Sequence, residues 1–286
     1  METLLLIDGM AVMYRSFFAV KNLNRADGTP VNALFGFIRL LDQSLRNWQP
    51  THCAVVWDGG IPERRLALCP DYKAQRPPMP DALRGQFPAV NDFLARRNLV
   101  AVTLDGEEAD DVMAALAHQG RGVFERCLIA SGDKDMLQIV DDYCKVVSVA
   151  GKAEETGPQE VQLRTGVLPH QITDWLALIG DSADNIRGVD GIGSKTATKL
   201  LSEYGSIERI YAALDALPVR LRDKLAAARD LLERNRAMVT LKSDLELSTN
   251  WDDLAVSRPD PARLLPFFRE WEFKDMQRAL EEPELF

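Results

Sequence analysis

Two short apolar runs, each closed by an aspartate and a glycine, do most to limit what this chain can fold into. Thr3 to Ile7 stops at Asp8-Gly9, and His52 to Trp57 stops at Asp58-Gly59-Gly60. Continuous apolar runs of this length read as strands buried on both faces, the pattern of a parallel sheet covered by helices. Between them Ala11 to Val20 and Val31 to Trp48 carry helical periodicity, so an α/β class follows. In an open sheet of this kind ligands lie beyond the carboxyl ends of the strands. Asp8 and Asp58 are therefore expected on one rim.

The signal repeats further along. Leu99 to Leu104 reads as a third strand and leads into Asp105-Gly-Glu-Glu-Ala-Asp-Asp111, the densest acid cluster in the chain. Acids are favourable at a helix start, and Glu108 and Asp111 share a helical face with Asp110 beside them. So much like charge at one point is costly unless a cation offsets it. Phe124 to Ala130 is a fourth strand, ending in Ser131-Gly-Asp133-Lys134-Asp135, and Asp141 to Val149 a fifth. Between the second and third strands, Ile61 to Pro80 holds five prolines with Arg64, Arg65, Lys73 and Arg76. It reads either as a solvated tether or, with Tyr72 among the bases, as a contact for nucleic acid. Asp81 is expected to cap a helix running to about Arg97, and Arg25 sits in the earlier loop LNRADGTP.

After Gly157 the character changes to helices over Val161 to Ile179 and Thr196 to Arg236, joined by GDSADNIRGVDGIGSKTA. If the first of these helices continues through Asp181 and Asp184, the three-residue step puts both carboxylates on one face. Gly188, Gly191 and Gly193 then precede a helix start, where exposed amides beside Ser194, Lys195 and Thr196 suit a phosphate. The tail from Lys242 to Phe286, with its apolar RLLPFFREWEF patch, reads as packing.

Composition narrows the chemistry. The net charge is -9 with pI near 5.0, not the basic surplus that usually marks nucleic-acid binders. That objection weakens where the acids crowd into one pocket and divalent cations neutralise them. Cys53, Cys69, Cys127 and Cys144 form no C-x-x-C pair and read as reduced thiols of a cytosolic protein. His52, His118 and His170 are scattered, which argues against a histidine-based site. Leu4 to Ile7 is too short for a signal peptide, and no run has the length of a membrane span. The candidates that remain are carboxylates alone: Asp8, Asp58, Glu108, Asp110, Asp111, Asp133, Asp135, Asp181 and Asp184. Hard oxygen ligands without His or Cys select Mg²⁺ or Mn²⁺. Two ions about 4 Å apart support in-line attack on phosphorus, with Lys73 and Arg76 placed to neutralise phosphate charge.

The runs LLLIDG, VNALFGF, AVVWDG, DYKAQRPPMP, EEADDV, SGDKDMLQIV and GDSADNIRGVDGIGSKTA resemble the 5′-nuclease domain of bacterial DNA polymerase I and its free-standing relatives, the flap endonuclease family. The match runs from about residue 3 to 245. It implies a PIN-like core with a mainly parallel sheet flanked by helices over 1–157, including a helical arch at about 61–85. It further implies a helical duplex-binding subdomain over 158–245, with a helix-three-turn-helix at about 180–205 and often a bound K⁺, and a tail over 246–286 on the core. By position, Asp8, Asp58, Glu108 and Asp110 resemble a first metal cluster and Asp133, Asp135 and Asp184 a second, with Asp111 and Asp181 reaching metal through water. Tyr72, Lys73 and Arg76 match the arch-base motif. Gly188, Gly191, Gly193, Ser194, Lys195 and Thr196 match the duplex-binding hairpin, and Arg25 and Arg65 are added as DNA contacts. Arg187 and Ala67 depart from the family pattern. The activity implied is a structure-specific 5′-3′ exonuclease and flap endonuclease acting on 5′ flaps, single-strand/double-strand junctions or RNA-DNA primers, in a monomer of the bacterial cytoplasm. A PIN-type ribonuclease and a non-catalytic DNA-junction binding module are the alternatives. No polymerase sequence follows Phe286, which leaves a free-standing nuclease and an excised domain both open.

Overall fold

The structure, a computed structural model, describes residues 2–150 and 153–281. Its centre is a sheet of β1 Thr3–Asp8, β2 His52–Trp57, β3 Val100–Thr103, β4 Arg126–Ala130 and β5 Cys144–Val147, all parallel, with β6 Glu155–Thr156 antiparallel on the edge. The order is β3-β2-β1-β4-β5-β6, so the chain first builds outward from β1 on one side and then returns to build outward on the other. The crevice between β1 and β4 is the switch point of such a sheet, where ligands bind at the carboxyl edge. Ile7 lies opposite Ala130 and Asp8 opposite Val56, so the carboxyl ends of β1, β2 and β4 come level.

Side chains alternate across each strand and divide the interior in two. Leu4 and Leu6 enter one core with α6 Ala109–Gln119 and the helices of residues 158–239; Leu5 and Ile7 enter the other with α1 Gly9–Ala19, α2 Asn32–Trp48, α5 Phe87–Arg97 and the helices of residues 261–281. Between β2 and α5 the chain makes only α3 Glu63–Leu68 and α4 Asp81–Arg84, so the segment expected as a helical arch holds two short helices. The helical half comprises α7 Pro158–Thr165, α8 Ile172–Ile179, a hairpin of β7 Gly180–Asp181 and β8 Ile186–Arg187, then α9 Ser194–Tyr204, α10 Ile207–Ala212, α11 Val219–Ala227 and α12 Arg229–Val239. α13 Pro261–Glu270 and α14 Lys274–Glu281 close the described chain.

Three expectations are corrected. The helix from Asp81 to Arg97 is broken, and Asp81 caps nothing, because Pro80 holds the N-cap position. Buried Gln86 interrupts it: its Oε1 accepts from Leu34 N-H at 3.0 Å and its Nε2 donates to Asn32 Oδ1 at 3.1 Å, while Pro88 opens α5. The helix expected through Asp181 and Asp184 stops at Ile179, where Gly180 adopts φ +75 and the chain turns into the β7–β8 hairpin. A Cβ on Gly180 would stand 2.3 Å from Gly188 N, so this crossing needs glycine on steric as well as conformational grounds. The fifth strand starts at Cys144 rather than Asp141, whose Oδ1 accepts the N-H groups of Tyr143 and Cys144 and makes a turn.

The apolar tail packs where its composition directs it. Phe267 is fully buried, with its ring centroid 5.7 Å from that of Phe93 on α5. Residues 282–286 of the expected tail lie outside the described residues. Phe267→Ala is expected to cost about 3–5 kcal/mol of stability in guanidinium unfolding; a loss under about 1 kcal/mol would mean that α13 is not part of the cooperative core.

Candidate active site

The carboxyl edge of the sheet gathers the acids through a chain of hydrogen bonds. Asp8 ends β1 and caps α1: one oxygen accepts from Ala11 N-H at 2.8 Å and the other from Ser131 Oγ at 2.9 Å. Ser131, which follows β4, also accepts from Asp133 N-H at 3.1 Å, and Asp133 accepts from Asp135 N-H at 2.9 Å. The bonds thus run across the β1–β4 crevice. Asp58, after β2, accepts from Ala109 N-H at 2.8 Å and so stands at the start of α6, whose first turn carries Asp110. From the helical half, the β7–β8 hairpin brings Asp181, which accepts from Ala183 N-H at 2.9 Å and pairs with Lys134 at 3.2 Å. Asp135, Asp181 and Asp184 each present an oxygen within 4.8 Å of the others.

Residues 71–76 form a strap over this hairpin. Lys73 N-H donates to Asp184 O at 3.2 Å, Asn185 Nδ2 to Asp71 O at 2.9 Å, and Gln75 Nε2 to Ser182 O at 2.9 Å. Lys73 takes φ 56, a left-handed conformation uncommon for a side-chain-bearing residue outside Asn and Asp, and the strap's bonds hold it there. Buried Tyr72 donates its hydroxyl to Asp184 Oδ2 at 3.0 Å. The Lys73 ammonium bonds Glu108 and lies 3.7 Å from Asp184, whose other oxygen takes Arg76. Tyr72, Lys73, Arg76, Glu108 and Asp184 are therefore brought together.

Three expected residues are placed elsewhere. Arg65, expected to touch DNA, is 4% exposed: its Nε donates to Met238 O at 3.0 Å, and its guanidinium bonds Asp111 and Glu108. Asp111, expected to reach a metal through water, is fully buried, and its oxygens accept from Arg64, Arg65 and Lys242 N-H. This pair is an interior tie between α3, α6 and the chain after α12. Arg25 lies 5.3 Å over the Trp271 ring and pairs with Asp27 at 3.7 Å, so it is engaged with the tail.

The expected duplex contacts form a surface. Gly188 packs its backbone on Ile179, Gly191 takes φ +73, and Gly193 leads into α9, where Ser194 and Lys195 are exposed, Thr196 is half-buried and no side chain caps the helix. Arg187 and Asp190 pair at 2.7 Å beside it. Ser131 and Lys134 are site residues that motif reasoning passed over. A hydroxyl directly after a strand at the switch point, and a lysine between two aspartates, were the signals available.

The acids lack enough partners. Burial, then neighbouring Asp133, Asp181 and Asp184, pushes Asp135 up to about 8. Burial likewise raises Asp8 to about 6 and holds Asp110 well above the carboxylate range, with Asp133, Asp8 and Asp135 adding repulsion. Burial alone would lower the Lys73 ammonium, but Glu108 and Asp184 hold it up. Burial and the same two acids raise the Tyr72 phenol, which stays a donor. Asp135 Oδ1 is buried without a hydrogen-bond partner. An all-carboxylate set with surplus negative charge and an unused buried oxygen fits a hard divalent cation.

Residues 3–166 match the 5′-3′ exonuclease N-terminal resolvase-like domain and residues 167–262 the 5′-3′ exonuclease C-terminal SAM fold. The chain belongs to the 5′-3′ exonuclease family. Membership makes it a phosphodiester-hydrolysing nuclease and accounts for the mainly parallel sheet joined to a SAM-like helical domain. It is 35% identical over 281 residues to a 5′-3′ exonuclease of Aquifex aeolicus, with 98% of this chain and 96% of that one covered. It is 36% identical over 282 residues to DNA polymerase I of Caldicellulosiruptor bescii, covering 97% of this chain but 33% of that protein. The chain thus spans about a third of the length of that polymerase relative. The T5 D15 protein co-crystallised with metal ions shares the fold, with a TM-score of 0.70 at 24% identity over 85% of this chain and 90% of that one.

Raised carboxyl values carry a stability consequence. Above the ordinary aspartate value the folded chain holds more protons than the unfolded one, so stability falls as pH rises, until the raised groups have themselves ionised. In EDTA, Tm is expected to decline from pH about 4, the ordinary aspartate value, with the Asp8 part of the decline complete by about 6 and the Asp135 part by about 8. Asp135→Asn should flatten the upper part of that decline. A Tm independent of pH across this window would contradict the electrostatics of the pocket.

Proposed function

We propose that the protein is a structure-specific 5′-3′ exonuclease and flap endonuclease that cuts DNA at a 5′ single-strand/double-strand junction. The observation that carries this reading is the meeting of Asp135, Asp181 and Asp184 within 4.8 Å, under the strap cations Lys73 and Arg76. Asp8, Asp58, Glu108, Asp110, Asp133, Asp135, Asp181 and Asp184 would hold two or more Mg²⁺ or Mn²⁺ ions. Bound there, such ions supply Lewis-acid activation of water and of the scissile phosphate. Lys73 and Arg76 turn from Asp184 and Glu108 to the phosphate and neutralise charge that develops on it. Tyr72, protonated and buried, orients Asp184 and Glu108. The amides of the Gly188–Thr196 turn and Lys195 hold a duplex phosphate and set the distance from duplex to cut. K⁺ at this turn, removal of RNA primers, a monomeric state and a bacterial cytoplasmic setting belong to the same reading. No described helix is long and apolar enough to cross a membrane.

A labelled 5′-flap duplex with Mg²⁺, and again with EDTA, tests the proposal. Metal-dependent cutting at the junction is expected. Cleavage of single-stranded RNA alone would favour a PIN-type ribonuclease, and binding without cutting a junction-binding module. Asp184→Ala should slow flap cutting by about a hundredfold or more while junction binding in a gel-shift assay persists; a variant with full rate would remove Asp184 from the site.

Lys195 gives a separate test. Lys195→Ala should weaken duplex binding uniformly across sequences and reduce the slope of log K against log salt by about 1. An unchanged slope would refute the assignment of the α9 start as a phosphate contact.

A further inference from the structure

A groove of about 870 Å³ lies between α2, α5, α13 and α14, where none of the functional residues reside. The carboxyl end of α2 leads at Gln49 and Pro50 into β2, and the carboxyl end of α5 leads into β3, so this groove sits at the amino edge of the sheet. The acidic pocket sits at the other edge, one strand length or about 20 Å away.

Its lining has two parts. The floor is apolar, with Phe93, Leu264 and Phe268 at 1%, 2% and 5% exposure. The rim carries Arg39, Arg46, Arg258 and Arg278, all exposed, and none is in an ion pair within 4 Å among the described residues. Arg39 lies over the Phe35 ring, 5.7 Å from its centroid. A further arginine, Arg97, is 6% exposed in the wall; its Nη1 donates to Ser257 O at 2.8 Å and its Nε has no hydrogen-bond partner. A buried guanidinium with an unused donor is costly to leave so, and a carboxylate entering the groove would satisfy it.

We propose that this groove docks a segment of a partner protein that is apolar on one face and acidic on the other. Apolar side chains would fill the floor, one Asp or Glu would reach Arg97, and flanking acids would meet the rim arginines, the helix-in-groove mode with a charged rim. A nucleic-acid backbone fits less well. Asp42 and Asp275 also line the groove and would repel a continuous row of phosphates, while the deep apolar floor would have nothing to bury.

Fluorescence anisotropy with the full chain tests this. The probe is a fluorescein-labelled peptide of about 14 residues with Leu and Phe on one helical face and Glu on the other. Saturable binding with Kd on the order of 10 µM is expected. A peptide of the same composition with its faces scrambled should bind about tenfold more weakly or worse, as should the amphipathic peptide to the Arg39→Glu/Arg258→Glu double variant. Both positions are exposed, and that variant should keep its Tm and its flap-cutting rate. Absence of saturable binding, equal binding of the scrambled peptide, or indifference to the charge reversal would overturn the proposal. So would a dimer in sedimentation that the reversal dissolves, which would make the occupant a second copy, or tight binding of a single-stranded oligonucleotide that the reversal abolishes.

Discussion

The constraint on which this structure depends is mutual repulsion among carboxylates that a parallel sheet delivers to one edge. Parallel strands send every carboxyl end the same way, and the β1–β4 switch leaves a crevice into which Asp8 and the Asp133–Asp135 turn project. Left bare, such a pocket would oppose folding. Part of the repulsion is offset by backbone amides: Ala11, Ala109, Asp135 and Ala183 each donate to one of the acids. Two of those amides lie in the first turns of α1 and α6, where the helix dipole adds to the effect. The remainder falls to Lys73, Arg76 and Lys134, and to whatever cation enters.

A second ionic assembly serves a different purpose. Arg65 and Asp111 are buried together with Glu108 and a carbonyl from the end of α12. A buried pair of this kind adds little net stability, but loss of one partner strands a charge in the interior. Its consequence is positional. It fastens α3 to α6 and to residues 238–242, and so sets where Tyr72 and Lys73 emerge over the β7–β8 hairpin. The sheet and the helical half share one apolar core, and this tie and the strap's bonds to residues 182–185 bring their acids together.

The strands and most of the acids were legible in the chain because a fully buried strand cannot hide its apolar run and an aspartate ending it cannot be core. The division of roles among adjacent acids was not. Asp110 and Asp111 are neighbours on α6, about 100° apart around its axis, and spacing alone does not say which side meets Arg65 and which meets the pocket. Asp181 and Asp184 suited a helical step equally well on paper. The close approach of Gly180 to Gly188, a contact between residues distant in the helical register, ended the helix instead. Ser131 carried no motif, yet it bonds both Asp8 and Asp133.

By itself, the order of residues determined an α/β sheet with acids at its carboxyl edge, a helical second half and a chemistry confined to oxygen ligands, since periodicity and side-chain type are local properties. Only the tertiary structure decided that Asp111 and Arg65 belong to the interior, that Asp184 meets Tyr72, Lys73 and Arg76, and that four arginines surround an apolar groove on the far edge. Those outcomes rest on which surfaces come together when separate elements pack, and no local pattern encodes the partner a side chain will find across the core.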